Sequence, residues 1–358
     1  DRLVHVWDLH RDDIPVASTF SGPSGSVFTL AFSASNKYLF SGGLDKSIYQ
    51  YNLDVGSSSW KSEPYSKTYT HHSSDVRAVS CHPYNDEVLL SCSEDGSIFS
   101  LDTRSRRSNA QSKILLTHEV TCVQYHPTME HIFATSDTSG HVNLRDARMA
   151  FGSGSQRRNS GVYATTIQQP KTLCYARPSA SSIVFDRTGS RLAVTFSRFY
   201  PTIYSVSDIY PVAICSGRFF PSGDRPPEGE RTYENSVTIK HGSFGGLGKE
   251  EDEFYTAGSD DFRGYVWKIP SSADLERRRT ISNGLGWPPE LEDKIAFCSA
   301  SAKEKLCIPA ELHTPAFHLH AGHDSIVNTV LMHPAHALIA TAGIERHVLL
   351  HSPTTGAP

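Results

Sequence analysis

Two short motifs carry most of the chemistry this sequence offers: Asp102-Thr-Arg104 and Asp146-Ala-Arg148, each an acid followed two residues later by an arginine. A guanidinium is a planar fork of donors, so it suits an interface, where it can make several directed hydrogen bonds. It can equally pair with its own aspartate in solvent, where such a pair contributes about 0–1 kcal/mol. Neither use is catalytic. The sequence holds 18 histidines, densest at His71-His72 and among His313, His318, His320 and His323. Their spacings match no zinc or iron ligand set and lack a partner cysteine or carboxylate cluster. Gly242-Ser-Phe-Gly245-Gly246-Leu-Gly248 is glycine-rich, but no Lys-Ser or Lys-Thr follows it, and it reads as an inter-strand loop. No nucleophile elbow, phosphate-binding loop or dinucleotide fingerprint stands where a strand and then a helix could carry it. The expectation is a protein that is not an enzyme, with no catalytic residue, cofactor or metal.

The elements that must position the two pairs repeat along the chain. Six residues separate Asp1 from Trp7, Asp45 from Tyr51, Asp95 from Leu101 and Asp261 from Trp267, with Glu345 to His351 as a weaker copy. Each acid opens a segment of alternating apolar and polar residues, the two-residue period of a strand buried on one face. Asp or Gly ahead of it suits a hairpin turn, since Asp can bond its own backbone and Gly accepts positive φ. Upstream lies a second apolar run, at 38–41, 88–91, 132–135, 253–257 and 338–341. A third precedes it, joined in several copies through His82-Pro83, His126-Pro127 and His333-Pro334. The less regular stretch leading into the next unit, such as 16–20, supplies a fourth strand, and four antiparallel strands make one propeller blade.

This pattern is the signature of a WD40 repeat. Trp7, Tyr51, Leu101, Arg145, Tyr204, Trp267 and His351 occupy the aromatic position of seven units, at intervals, by subtraction, of 44, 50, 44, 59, 63 and 84 residues. The expected fold is therefore an all-β, seven-bladed WD40 β-propeller, a single domain over 1–358. Its first blade is incomplete at the N-terminus, which leads us to expect that a further N-terminal segment belongs to the natural protein. Long intervals imply loop insertions at 149–170, 216–236 and 271–315. Within them, Trp287 could anchor a partner or pack on the propeller flank, and Arg157-Arg158 before Ser160 resembles a basophilic kinase site.

Composition narrows the function. The net charge of −4 and pI near 6.5 give no global reason to bind nucleic acid. No apolar run approaches the length of a membrane span, and the first residues lack a signal sequence. Seven cysteines without a CxxC pair suit reduced thiols. We expect an intracellular protein, nuclear and/or cytoplasmic, without direct nucleic-acid or membrane contact.

Two consecutive units finish with Asp-x-Arg, and here the chain resembles the WD40 substrate receptors of cullin-4 RING ubiquitin ligases, the damaged-DNA-binding-protein-1 and cullin-4 associated factors. Phe40-Ser-Gly-Gly-Leu-Asp45, the stretches Tyr255-Thr-Ala-Gly-Ser-Asp-Asp-Phe262 and Tyr265-Val-Trp-Lys-Ile-Pro270, and Gly322-His-Asp-Ser-Ile-Val-Asn328 with Ala342-Gly-Ile-Glu-Arg346 look like the branch of factors 5 and 6. The resemblance covers nearly the whole chain outside the insertions. It implies that Asp102, Arg104, Asp146 and Arg148 bind a damaged-DNA-binding protein 1-type adaptor of the cullin-4 ligase, and that another surface presents a protein substrate for ubiquitination. It also implies that His323, after Gly322, bonds the turn acid. Leu101 and Arg145 depart from the family by standing where an aromatic precedes the Asp. The alternative is a WD40 scaffold in a chromatin or signalling complex that has no link to ubiquitin.

Overall fold

A computed structural model describes residues 2–7, 16–53, 63–105, 112–151, 161–169, 174–217, 232–246, 251–283, 294–299, 302–312, 317–319 and 322–352. Trp287, the Arg157-Arg158-Ser160 motif and most of 216–236 lie outside them. The chain falls into two compact units, one of 1–135 with 145–160, the other of 136–144 with 161–358. A single domain was the expectation. Stacked repeats contact only their neighbours, so an array of them has a natural seam at any unit.

In the first unit, Val27–Phe32, Tyr38–Gly43, Ile48–Asn52 and Lys67–Tyr69 form one antiparallel sheet. Val76–Cys81, Val88–Ser93, Ser97–Asp102 and Ser112–Leu115 form the next. Both follow chain order, as the repeat predicts. The turn acid does what its spacing implies. Asp95 accepts the Ser97 N–H at 2.8 Å within its own turn and the Ser73 N–H at 2.8 Å from the preceding loop. Asp45 does the same for Ser47 and Ser24. The residue after the acid takes a left-handed backbone in several copies, at Lys46 (φ 63°), Gly96 (φ 76°) and Phe262 (φ 71°). Gly adopts that conformation freely, whereas Lys and Phe are held there by the turn.

Neighbouring sheets within a unit are tied by a recurring bond from a strand amide to a hydroxyl of the sheet before. Val79 N–H donates to Thr29 Oγ1 (3.1 Å), Tyr125 N–H to Ser80 Oγ (2.9 Å) and Met332 N–H to Ser243 Oγ (2.9 Å). The His-Pro turns are equally local. His82, His126 and His333 each accept a following amide on Nδ1, from Tyr84, Met129 and Ala335, at 3.0–3.2 Å. Among the described residues, no group of three potential metal ligands occurs.

The second unit contains the sheet of Ala180–Phe185, Arg191–Phe196, Thr202–Ser205 and Pro211–Ile214, extended in parallel by Ala310–Glu311. It also holds the sheet of Gly242–Gly245, Phe254–Gly258, Gly264–Lys268 and Phe317–Leu319, and the three-stranded sheet of Val327–Met332, Ile339–Gly343 and Val348–His351. Two expectations change here. The stretch 271–315 is not simply a loop: it carries the helix Ser272–Arg278, capped by the Ser271 side chain, and strands Thr280–Asn283, Ala296–Ser299 and Ala302–Ile308. These strands join Thr166–Gln169 and Cys174–Ala176 in a five-stranded sheet. Burial drives the assembly, because Phe297 packs with Ile167 and Ile214 and Leu275 is fully buried. Gly242–Gly245 is likewise a strand, paired with Phe254–Gly258. Its first glycine serves close packing, since a Cβ there would lie 2.2 Å from the Tyr255 hydroxyl.

Among the described residues Trp267 is the largest fully buried side chain, 5.7 Å from Tyr265 and 5.4 Å from Tyr233 between ring centroids, with its indole N–H donating to the Ser216 carbonyl at 2.8 Å. Trp267→Ala is expected to cost about 3–5 kcal/mol in chemical denaturation. Burial also holds His72 neutral, pushed down to about 4 against the pull of the Asp95 carboxylate. His5, His71, His82 and His351 shift the same way, burial being the largest cause in each. The unfolded chain then binds more protons than the folded one, so stability is full above about pH 6.5 and falls as pH drops toward 4. Urea midpoints measured at pH 7 and pH 5 should show that loss, and equal midpoints would contradict it.

Candidate functional site

Both Asp-x-Arg pairs fall in the first unit, at the ends of strands one repeat apart. Thr103 N–H donates to the Glu87 carbonyl at 2.8 Å, and Ala147 N–H to the His131 carbonyl at 2.7 Å. Subtraction gives the same offset, 44 residues, for 102 to 146, 104 to 148 and 87 to 131. Each strand end is therefore anchored to the turn before the strand preceding it, and the Asp starts from an equivalent place.

The side chains repeat as closely as the backbone. In the first pair, Asp102 Oδ1 accepts the Arg104 backbone N–H (3.0 Å) and Nε–H (3.0 Å), while Oδ2 accepts from a terminal nitrogen at 2.6 Å. In the second, Asp146 accepts from Arg148 at 3.0, 3.0 and 2.6 Å through the same atoms. Asp146 is also the N-cap of the short helix Ala147–Ala150. The Arg104 bond is the main cause holding the Asp102 carboxyl below the usual carboxylate range, as the Arg148 bond is for Asp146. The aspartates are largely covered, whereas the Arg104 and Arg148 side chains are 64% and 67% exposed. Each guanidinium is thus steered by one edge and presents the other outward.

Behind each fork, the aromatic position is filled without an aromatic ring. Leu101 is buried in the cluster of Phe40, Val79, Leu89 and Phe99. Arg145, also buried, donates through Nε to Thr135 Oγ1 at 3.0 Å. That bond matches Ser41 with the Tyr51 hydroxyl (3.0 Å) and Thr341 with His351 Nε2 (2.9 Å), so the position keeps its hydroxyl partner while changing residue type. His323 behaves as the resemblance implies, bonding the turn acid Glu345 at 3.1 Å and Thr341 at 2.8 Å.

The structure adds residues that spacing did not reveal. The Tyr84 hydroxyl donates to the Thr128 carbonyl at 3.2 Å, linking the turn that anchors the first pair to the turn that anchors the second. Tyr84 is 61% exposed, Met129 42% and Met149 48%. Tyrosine, methionine and arginine are among the types enriched at protein interfaces; Tyr84 and Met129 lie in the turns that hold the two forks, and Met149 lies in the short helix that follows Asp146. The signal at Tyr84 and Met129 is a large apolar residue in a turn that ought to be polar.

A family model for the WD domain, G-beta repeat, matches residues 15–52 and 64–100. Over 357 residues the chain is 26% identical to mouse (Mus musculus) and 25% identical to human (Homo sapiens) "DDB1- and CUL4-associated factor 5", which covers 99% of this chain but 30% and 31% of those proteins. The chain thus spans under a third of these relatives. "Methylosome protein WDR77" of Xenopus laevis is 26% identical over 200 residues, 55% of this chain and 57% of that one. Among solved structures, the beta-propeller domain of Myceliophteria_thermophila Cps50 (Swd1) superposes with a TM-score of 0.61 at 14% identity, covering 98% of this chain and 91% of that one. The matched repeats and the superposition together make this chain an all-β WD40 propeller protein, similar over 357 residues to DDB1- and CUL4-associated factor 5.

Proposed function

We propose that this chain is a non-catalytic substrate receptor that docks on the adaptor of a cullin-4 RING ubiquitin ligase through Asp102, Arg104, Asp146 and Arg148, and holds a protein substrate on another surface. The observation that carries this is the pair of forks in one geometry, repeated on consecutive units, each presenting an exposed guanidinium. Neutral apolar neighbours at Tyr84, Met129 and Met149 complete a patch of interface composition. The likeness to DDB1- and CUL4-associated factor 5 says which adaptor and which cullin to test first. The receptor's contribution would be proximity: it raises the effective concentration of a substrate beside the charged ubiquitin-conjugating enzyme. A second reading, a WD40 scaffold of a complex that has no link to ubiquitin, is favoured by the shorter likeness to the methylosome protein.

Affinity capture of the protein, wild type against Arg104→Ala with Arg148→Ala, separates the two. Recovery of the adaptor and cullin-4 by wild type, reduced about tenfold or more by the double change, supports receptor function. Equal recovery by both overturns the docking assignment, and recovery of a different stable complex favours the scaffold. Because both arginines are exposed, the double change should leave the urea midpoint essentially unchanged. Capture should also be insensitive to pH from 7 to 5. The aspartates titrate below the ordinary carboxylate range, so the forks are complete above about pH 4 and open only as pH falls through the depressed values.

A further inference from the structure

The second unit holds a cavity of about 560 Å³ lined by Arg177, Arg198, Ser179, Ser197, Ser236 and Phe199, with Ile167, Ala176 and Pro178 at its apolar wall. Two arginines facing one cavity need explaining, because like charges are placed together only at some cost. Arg198 is exposed, and its guanidinium has no partner among the described residues. Its backbone is left-handed (φ 56°), an uncommon state for a residue with a side chain. The turn is clamped there by Asn235, whose carbonyl accepts the Arg198 N–H at 2.5 Å and whose side-chain amide donates to the Phe196 carbonyl at 2.7 Å.

Arg177 is positioned by different bonds. It donates to Thr166 Oγ1 at 3.3 and 3.2 Å and to His141 Nε2 at 2.6 Å. Accepting at Nε2 leaves the His141 proton on Nδ1, directed at Asp137 3.0 Å away. Both terminal nitrogens of Arg177 keep a further hydrogen to offer. The neighbouring acids are already engaged. Asp260 accepts the Lys240 ammonium at 2.5 Å, the Val237 amide at 3.0 Å and the Ser236 amide, and Glu234 accepts the Ser236 hydroxyl at 2.9 Å. The Ser179 and Ser197 hydroxyls have no side-chain bond among the described residues.

A second cavity of about 440 Å³ continues from the first and shares Arg198, Phe199 and Ser236 with it, adding Tyr200, Tyr233, Glu234 and Asn235. The buried Tyr233 hydroxyl finds no hydrogen-bond partner among the described residues. A guanidinium at Arg198 without a partner among the described residues, spare donors on Arg177 and serine hydroxyls on one side, with the rings of Tyr200 and Tyr233 on the other, describe a site for an anion carried on a larger molecule. We infer that these joined cavities bind a phosphorylated peptide segment of a partner protein, its phosphate between Arg198 and Arg177 and its flanking residue against Tyr200 and Tyr233. Dianionic phosphate is the group that a guanidinium pair and hydroxyl donors match best. The site involves none of the Asp-Arg residues and stands whether or not they dock an adaptor.

The test uses the whole protein and two peptide pools, one with a central phosphoserine flanked by randomised residues, the other its unphosphorylated twin, read by fluorescence anisotropy. The phosphoserine pool should bind about tenfold or more tightly than the twin. Arg198→Gly should erase that preference while keeping the thermal midpoint, since glycine accepts the left-handed backbone. Arg198→Asn, also tolerant of positive φ, is the second variant and should behave alike. Equal binding of the two pools, or a preference that survives both variants, overturns the proposal. So does displacement of the phosphopeptide by inorganic phosphate at equal concentration, which would leave a simple anion site. Displacement by single-stranded RNA overturns it as well, in favour of nucleic acid.

Discussion

Much of the structure rests on one recurring constraint: the acid at a hairpin turn takes hydrogen bonds from the loop before it and, at Asp45 and Asp95, from its own strand as well. Asp95 holds Ser97 and Ser73, Asp45 holds Ser47 and Ser24, and Glu345 holds Asp324 and His323. Each acid therefore fixes where the outgoing strand begins relative to the sheet. A strand begun at a fixed point ends at a fixed point, provided its register cannot slip. Burial of alternate residues prevents the slip, because a one-residue shift would expose the apolar face. The Asp102 fork ends a strand begun by Asp95, whereas ahead of the Asp146 fork Ser139 stands at the acid's position and Asp137 accepts the His141 N–H at 2.9 Å within the turn.

Constancy at the turn allows variety at the third strand. A hydroxyl on the middle strand meets Tyr51, Arg145 or His351, three side chains with little in common beyond a polar atom at similar reach. Leu101 has no such atom, and there the Ser91 hydroxyl is met by His72 instead. The repeat thus tolerates loss of its aromatic residue as long as the buried hydroxyl is satisfied, since leaving it unpaired costs about 1–3 kcal/mol. Arginine in such a position is an expensive choice that Thr135 makes acceptable. The forks gain from this economy: their placement rests on the carbonyls of Glu87 and His131, not on the residue that precedes the aspartate.

Much of this was legible before any coordinates. The six-residue spacing locates the hairpins at Asp45 and Asp95. What stayed hidden had physical reasons. The strand Ala296–Ser299 pairs with Thr166–Gln169 across a long sequence interval, so no local period announces it. Gly242–Gly245 looked like a loop because glycine is rare in strands, yet the Tyr255 hydroxyl leaves no room for a side chain. Tyr84, Met129 and Met149 belong to no pattern at all; only the link from Tyr84 to Thr128 shows that turns from two repeats form one surface. Arg198 and Arg177, 21 residues apart by subtraction, share a cavity for the same reason: proximity made by folding leaves no mark on spacing.

The proposed adaptor surface comprises the forks and the turns together. Amide hydrogen exchange of the protein with and without the purified adaptor tests it most directly. Slowed exchange concentrated at 82–87, 102–105, 126–131 and 146–150 is the predicted result. Binding of the adaptor with protection confined to other segments, or no protection at saturating adaptor, would contradict the claim.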